Sequence, residues 1–205
     1  MFKAILSFLI ISLCLWVESN AQWTELTKKG ASVLSIATNS SQIFLGEDFD
    51  GIQFSSDNGR KWVFANNGMN GGSVYSIAVF GTSIIAGTYR GIYLSTDNGK
   101  SWIHKNQVFR NVEPPVVRSI LKNGSSIIAV TDDWVVVSPD NGRSWTLVRP
   151  QMMRLTSLCK IGSRIFAGAY QNVYVSQNNG KSWNRIYNEL NQLSDVNVTA
   201  LAALD

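Results

Sequence analysis

Four near-identical octapeptides, four short strand patterns in each interval between them, and no helical periodicity of useful length predict an all-β fold. A repeat period of about forty residues with four strands per unit is the signature of a propeller blade. The expected class is therefore a β-propeller of four-stranded antiparallel blades. Composition agrees: of 205 residues, 45% are apolar, 16% are charged and sixteen are glycine. Low charge with many Gly, Ser, Asn, Val and Ile residues suits a β protein with frequent turns.

The first element lies outside the repeats. Lys3 supplies a positive head, Ala4 to Val17 an apolar run, and Ser19-Asn20-Ala21 the small residues of a cleavage site. Residues 1-21 read as a secretory signal peptide, so the expected location is secreted, cell surface or periplasmic. The apolar run is shorter than the roughly 20 residues that span a bilayer, so no transmembrane anchor is expected in this segment. Leu13 before Cys14 is bulkier than a lipoprotein cysteine usually tolerates. Cleavage after Ala21 leaves Cys159 as the remaining thiol, and its apolar strand context makes it a buried small hydrophobe. The net charge of +4 is spread along the chain without a basic block, which gives nucleic-acid binding no support.

The repeats occupy 22-205. The octapeptides are Ser55 to Trp62 (SSDNGRKW), Ser95 to Trp102 (STDNGKSW), Ser138 to Trp145 (SPDNGRSW) and Ser176 to Trp183 (SQNNGKSW). Their tryptophans, at 62, 102, 145 and 183, are 40, 43 and 38 residues apart. The flanks repeat too: Val33 to Ala37 matches Val74 to Ala78, Val117 to Leu121, Leu155 to Cys159 and Val198 to Ala202. In the second unit Ser73 to Val79, Ser83 to Thr88 and Gly91 to Ser95 read as strands a, b and c, and Trp102 opens strand d. Blades are expected at about 32-65, 73-106, 116-149 and 154-187.

Each octapeptide has a local physical reading. Asp57, Asp97 and Asp140 can accept hydrogen bonds from backbone N–H groups of their own turns. Gly59, Gly99, Gly142 and Gly180 can take a positive φ. Trp62, Trp102, Trp145 and Trp183 can cover the apolar side of the hairpin while each indole N–H finds a partner. Asn178 keeps the acceptor oxygen without the charge, so its turn should hold, though less tightly.

These octapeptides resemble the Asp-box, or bacterial neuraminidase, repeat Ser-x-Asp-x-Gly-x-x-Trp, and the resemblance covers nearly everything after the leader. The resemblance implies a structural role for Ser55, Ser95, Ser138 and Ser176 and the rest of each box, in the turn between strands c and d, away from the ligand face. Each box offers one carboxylate where calcium wants six to eight oxygens, so no metal is expected. The same resemblance extends to sialidases, sortilin-type receptors, xyloglucan-degrading enzymes, photosystem II assembly factors and uncharacterised secreted bacterial propellers.

The two ends read as partial blades. Trp23-Thr24-Glu25-Leu26 resembles Trp145-Thr146-Leu147, an isolated strand d, and 196-204 resembles an opening strand a. Four full blades with these two extra strands suggest part of a longer ring, or else a reduced fifth blade made from the two ends.

No catalytic constellation stands out. A sialidase, by resemblance, needs an arginine triad with an Arg-Ile-Pro motif, and Arg164-Ile165-Phe166 lacks the proline. His104 stands alone at the end of a strand d, no Cys/His cluster suits zinc, and no phosphate loop precedes a helix. No cofactor is implied. The expected function is thus non-catalytic recognition of a protein or carbohydrate, with a glycoside hydrolase fragment and an assembly factor for a membrane complex as alternatives. In propellers, ligands meet the face carrying the b–c loops, and here these differ between blades: Glu47-Asp48-Phe49-Asp50, Tyr89-Arg90, Asp132-Asp133-Trp134 and Tyr170-Gln171. Asp48, Tyr89, Arg90, Asp132, Asp133 and Tyr170 are the candidate ligand residues of these loops. Arg118 joins them because its strand-a counterparts are Leu34, Tyr75, Thr156 and Thr199, and an arginine there suits an anionic group. Arg90 and Arg154 are candidate neighbours of Arg118.

Overall fold

A computed structural model describes residues 32–110, 112–148, 154–186 and 198–202. The leader at 1-21 and the isolated strand at Trp23 to Leu26 lie outside the described residues. The described chain forms four antiparallel four-stranded sheets, each made of strands consecutive in sequence. The first holds β1 (Val33–Thr38), β2 (Ile43–Glu47), β3 (Gly51–Ser55) and β4 (Val63–Phe64). The second holds β5 (Val74–Phe80), β6 (Ser83–Thr88), β7 (Gly91–Ser95) and β8 (Ile103–His104). The third holds β9 (Val117–Asn123), β10 (Ser126–Thr131), β11 (Val135–Ser138) and β12 (Thr146–Val148). The fourth holds β13 (Leu155–Ile161), β14 (Arg164–Ala169), β15 (Asn172–Ser176) and β16 (Asn184–Arg185). A single 3-10 turn, Asn106–Phe109, interrupts the passage from the second sheet to the third.

Strand side chains alternate faces, and both faces of an inner blade are apolar because a blade lies on each side. Phe44 and Ile52 of the first sheet pack against Val74, Ile84, Ala86, Tyr93 and Trp102 of the second. Ile85, Ile92 and Leu94 repeat the contact against Val117, Ile127, Ala129 and Val136. Ile128, Val135 and Val137 do so against Leu155, Leu158, Ile165, Ala167 and Tyr174, and Cys159 is buried nearby. The molecule thus has one core per blade junction. The innermost strands touch in succession, β1 with β5, β5 with β9 and β9 with β13.

Close approach at the first two of these junctions requires glycine. A Cβ on Gly46 would stand 2.6 Å from the Val74 carbonyl oxygen, and one on Gly87 would stand 2.6 Å from Val117 Cγ1. Gly168 holds the same position in the fourth sheet, where Val198 approaches it. Val198 donates its N–H to the Ala169 carbonyl at 3.3 Å, and its own carbonyl accepts a bond from Thr156 Oγ1. The segment expected to open a further strand a therefore docks on the fourth sheet at Val198, but residues 198–202 form no strand.

The octapeptides form the c–d turns. Asn58, Asn98, Asn141 and Asn179 have φ of 57° to 59° and the glycines that follow have φ of 80° to 85°. Asn-Gly is the preferred pair for two successive left-handed residues. The serine is the hub of each turn: Ser138 Oγ accepts the Gly142 N–H at 2.7 Å and donates to Asp140 Oδ1 at 2.9 Å. Ser55, Ser95 and Ser176 repeat this pattern. Asp140 Oδ1 in turn accepts the Ser144 N–H at 2.8 Å. The side-chain bond from Ser101 holds the Asp97 carboxyl down at about 2, and Ser144 does the same for Asp140 at about 2. Asp57 is also lowered, chiefly by the Lys61 N–H. In the fourth turn Asn178 Oδ1 still accepts the Ser182 N–H at 2.8 Å, while its Nδ2 donates to Ser182 Oγ at 2.7 Å. The turn holds by reversing one bond, with the serine contact lengthened to 3.1 Å. Trp102 donates its indole N–H to the Ala65 carbonyl of the preceding blade at 2.7 Å. Trp145 and Trp183 donate to their own glycine carbonyls, Gly142 at 3.1 Å and Gly180 at 2.9 Å.

Candidate functional site

The four innermost strands share an irregularity that decides what faces the loop rim. In β1 the pairing passes from Val33 with Glu47 to Ser35 with Gly46, leaving Leu34 as an extra residue. The same bulge leaves out Tyr75 in β5, Arg118 in β9 and Thr156 in β13. A bulge re-aims its extra side chain and sharpens the strand's twist. Repetition along the blades therefore sets Leu34, Tyr75, Arg118 and Thr156 in series beside the b–c loops.

Arg118 uses this position to reach its own b–c loop. Its Nε lies 2.9 Å from Asp132 Oδ1 and its second guanidinium nitrogen 3.3 Å from Asp132 Oδ2. It is the one ion pair among the described residues, and it raises the Arg118 pKa further above its ordinary value. On its other side the guanidinium lies 5.3 Å from the ring centroid of Tyr75, the bulge residue of the preceding blade. Arg154, at φ 55° just before β13, places its guanidinium 5.4 Å from the Tyr170 ring. Arg118, Asp132, Arg154, Thr156, Tyr170 and Thr199 together line one open cleft of about 440 Å³. Two cations, one carboxylate, an aromatic ring and two hydroxyl side chains thus converge from the third and fourth blades and the segment after them.

The other candidate residues are placed differently. Arg90 does not join Arg118. It stacks 5.2 Å over the neighbouring Tyr89 ring in a separate cleft of about 380 Å³, shared with Asn70, Tyr93, His104 and Glu113. The physical reason is register: Arg90 belongs to a b–c loop, one blade earlier, whereas Arg118 projects from a strand-a bulge. Asp48 is occupied with structure, accepting a short bond from Ser73 Oγ of the next blade. Asp133 is exposed and lines neither cleft. Glu47, grouped with the first loop in the sequence, ends β2 instead; it is 2% exposed, and its carboxylate accepts both bonds from Gln53 Nε2 at 2.9 and 3.0 Å. His104 is exposed at the end of β8, its ring 5.0 Å from that of Tyr93.

Two asparagines that shape these loops were not singled out by the sequence. Asn66 Oδ1 accepts the Ile52 N–H and its Nδ2 donates to the Asp50 carbonyl, both at 2.8 Å. Asn106 repeats the clamp on the Ile92 N–H at 2.9 Å and the Arg90 carbonyl at 2.5 Å. The readable signal was Trp-x-x-x-Asn, at Trp62 with Asn66 and Trp102 with Asn106. Thr88 and Thr131 complete the loops: their hydroxyls accept the N–H of Arg90 at 3.0 Å and of Trp134 at 2.9 Å. Among the described residues no group of three His, Cys, Asp or Glu is arranged to hold a metal ion. None of their helices is long and apolar enough to cross a membrane.

No protein-family profile matches this chain, and no curated protein matches it. Its fold does recur among solved structures. An ancestral GH74 enzyme superposes with a TM-score of 0.68 at 24% identity, over 82% of this chain and 25% of the enzyme. The extracellular domain of BT4673 from B. thetaiotaomicron superposes at 0.67 and 19% identity, over 87% of this chain and 26% of that one. YCF48 bound to D1 peptide superposes at 0.62 and 16% identity, over 79% of this chain and 56% of YCF48. The chain thus spans between a quarter and just over half the length of these neighbours. With four antiparallel four-stranded sheets packed in succession, it has the fold of a β-propeller.

Proposed function

We propose that this chain is a non-catalytic recognition module of the Asp-box propeller kind, exported by its leader, which binds a protein partner through its loop face. The observation that carries this reading is the cleft between the third and fourth blades. Arg118 is fixed there by Asp132 and Tyr75, while Arg154, stacked on Tyr170, has among the described residues no carboxylate in the cleft other than Asp132. A stacked guanidinium beside an already paired one suits a carboxylate, and Asp132 with the threonine hydroxyls suits the hydrogen-bond donors around it. An acidic peptide segment presents both. YCF48, a propeller of the same fold, is a structure with a bound peptide.

Fluorescence anisotropy with labelled acidic, neutral and basic decapeptides tests the proposal. The acidic series should bind, and Arg154→Ala should weaken it about tenfold, the scale of one lost charge-assisted contact. Equal affinity of wild type and Arg154→Ala removes the cleft from consideration. The likeness to a GH74 enzyme supports a second reading, a segment of a glycoside hydrolase. Release of reducing ends from soluble polysaccharides would favour it over the recognition module.

A further inference from the structure

We infer a second ligand site, between the end of the second blade and the third octapeptide turn, which takes an acidic glycan. A cleft of about 330 Å³ opens there between β8, the 3-10 turn that follows it, and the third octapeptide turn. Among the described residues three cations line it, Lys105, Arg110 and Arg143, and no carboxylate does. The rim cleft, by contrast, contains its own acid at Asp132.

The cluster is particular to this junction. A basic residue recurs in every octapeptide, as Arg60, Lys100, Arg143 and Lys181. Lys105 does not recur: the residues three after the other tryptophans are Ala65, Val148 and Ile186. Arg110 directly follows the 3-10 turn, the only helical turn among the described residues. Local structure therefore adds two cations, Lys105 and Arg110, to the one that the third octapeptide supplies.

The remaining lining selects a sugar ring as carrier of the negative charge. Trp145 packs part of its ring on the core between the blades, and its bond to the Gly142 carbonyl fixes its orientation. The half-buried remainder of the ring lines the cleft beside Ile103, which is 58% exposed. An indole ring of fixed orientation and an adjacent apolar side chain offer apolar contact to the C–H groups of a pyranose, while Gln107 supplies neutral hydrogen bonds for hydroxyls. Uronate and sulfate groups share the oxyanion chemistry that the three cations recognise.

The test is isothermal titration of the full chain with galacturonate tetramer, a chondroitin sulfate tetrasaccharide, cellotetraose and tetraglutamate. The Lys105→Ala/Arg110→Ala double variant alters exposed or half-exposed side chains outside the octapeptide turn. Either acidic sugar should bind and lose at least about tenfold in affinity in the double variant. Its binding should weaken with added salt and remain unchanged in Arg154→Ala, which separates this site from the rim cleft. Binding of galacturonate tetramer shows that carboxylates suffice, and binding of the chondroitin sulfate fragment alone shows that they do not. Equal binding to wild type and double variant, or no binding by either acidic sugar, overturns the proposal. Cellotetraose bound as tightly as the acidic sugars shows that charge is not read. Tetraglutamate bound as tightly assigns the site to acidic peptides instead.

Discussion

Replacing Ser138 by alanine isolates the serine hub of one c–d turn. Ser138 is fully buried, and its Oγ accepts N–H groups of Gly142 at 2.7 Å and Asp140 at 3.4 Å while donating to Asp140 at 2.9 Å. Alanine fits the space, so no steric cost arises. It leaves the buried Gly142 N–H without an acceptor, a loss of about 1–3 kcal/mol, and cuts one bond to a carboxylate. The expected destabilisation is about 2–3 kcal/mol. Because Gly142 also has φ 85° and lies against Ile85 of the preceding blade, the turn has little freedom to move towards water. Urea unfolding should show a lower midpoint with an unchanged slope. Hydrogen exchange at the Gly142 amide should quicken by roughly 30- to 150-fold, the same energy expressed locally. Asp140→Asn is the control. Asn178 shows that an amide keeps the acceptor for the backbone, so this variant should lose only a fraction as much. A shift below about 0.5 kcal/mol for Ser138→Ala, with Gly142 protection intact, would refute the assignment of the serine as hub.

Two further expectations follow from the packing and the charges. Asp97 and Asp140 are held at about 2, below the ordinary carboxylate value, so their contribution is fully present above pH ~4 and decays as pH falls through about 2. Acid unfolding monitored by tryptophan fluorescence should show this decay, and Asp97→Asn/Asp140→Asn should flatten it. Gly87→Ala forces a Cβ to 2.6 Å from Val117 Cγ1, an overpacked junction costing about 1–3 kcal/mol in thermal unfolding; a variant as stable as wild type contradicts the close approach drawn for that junction.

The fold was legible because its signals are local. An Asn-Gly pair, a hub serine and a tryptophan within eight residues mark a hairpin wherever they occur, and four of them in register leave little choice of architecture. The strands of the second unit, at 74–80, 83–88 and 91–95, lie within a residue of the expected segments. The site was legible only in part, because its contacts cross between elements. Arg118 stood out as an odd residue among its counterparts, and Arg154 does share its cleft, but spacing contains nothing that pairs Arg118 with Asp132. The separation of Arg90 from both depends on the strand-a bulge, which leaves no mark in composition. Glu47 was grouped with its loop, whereas the partner that holds its buried carboxylate, the half-buried Gln53, sits in the next strand. Asn66 and Asn106 went unnoticed since asparagine is ordinary in turns, and only their equal distance from a tryptophan distinguishes them.

The way neighbouring blades meet bears on how such a chain changes over generations. The cleft at Arg118 draws its walls from two successive blades, with Asp132 across from Arg154 and Tyr170, and Tyr75 of the blade before lies beside Arg118. Duplicating one repeat copies its loops but gives the copy a different neighbour, so a single genetic event creates a cleft that neither parent blade possessed. The glycines at 46, 87 and 168 allow that exchange, because they offer nearly the same bare landing to whichever blade follows. Val130, in the third blade, makes the third-to-fourth junction the exception. Recombination should tolerate a new partner least there, at the one place where the rim cleft is built.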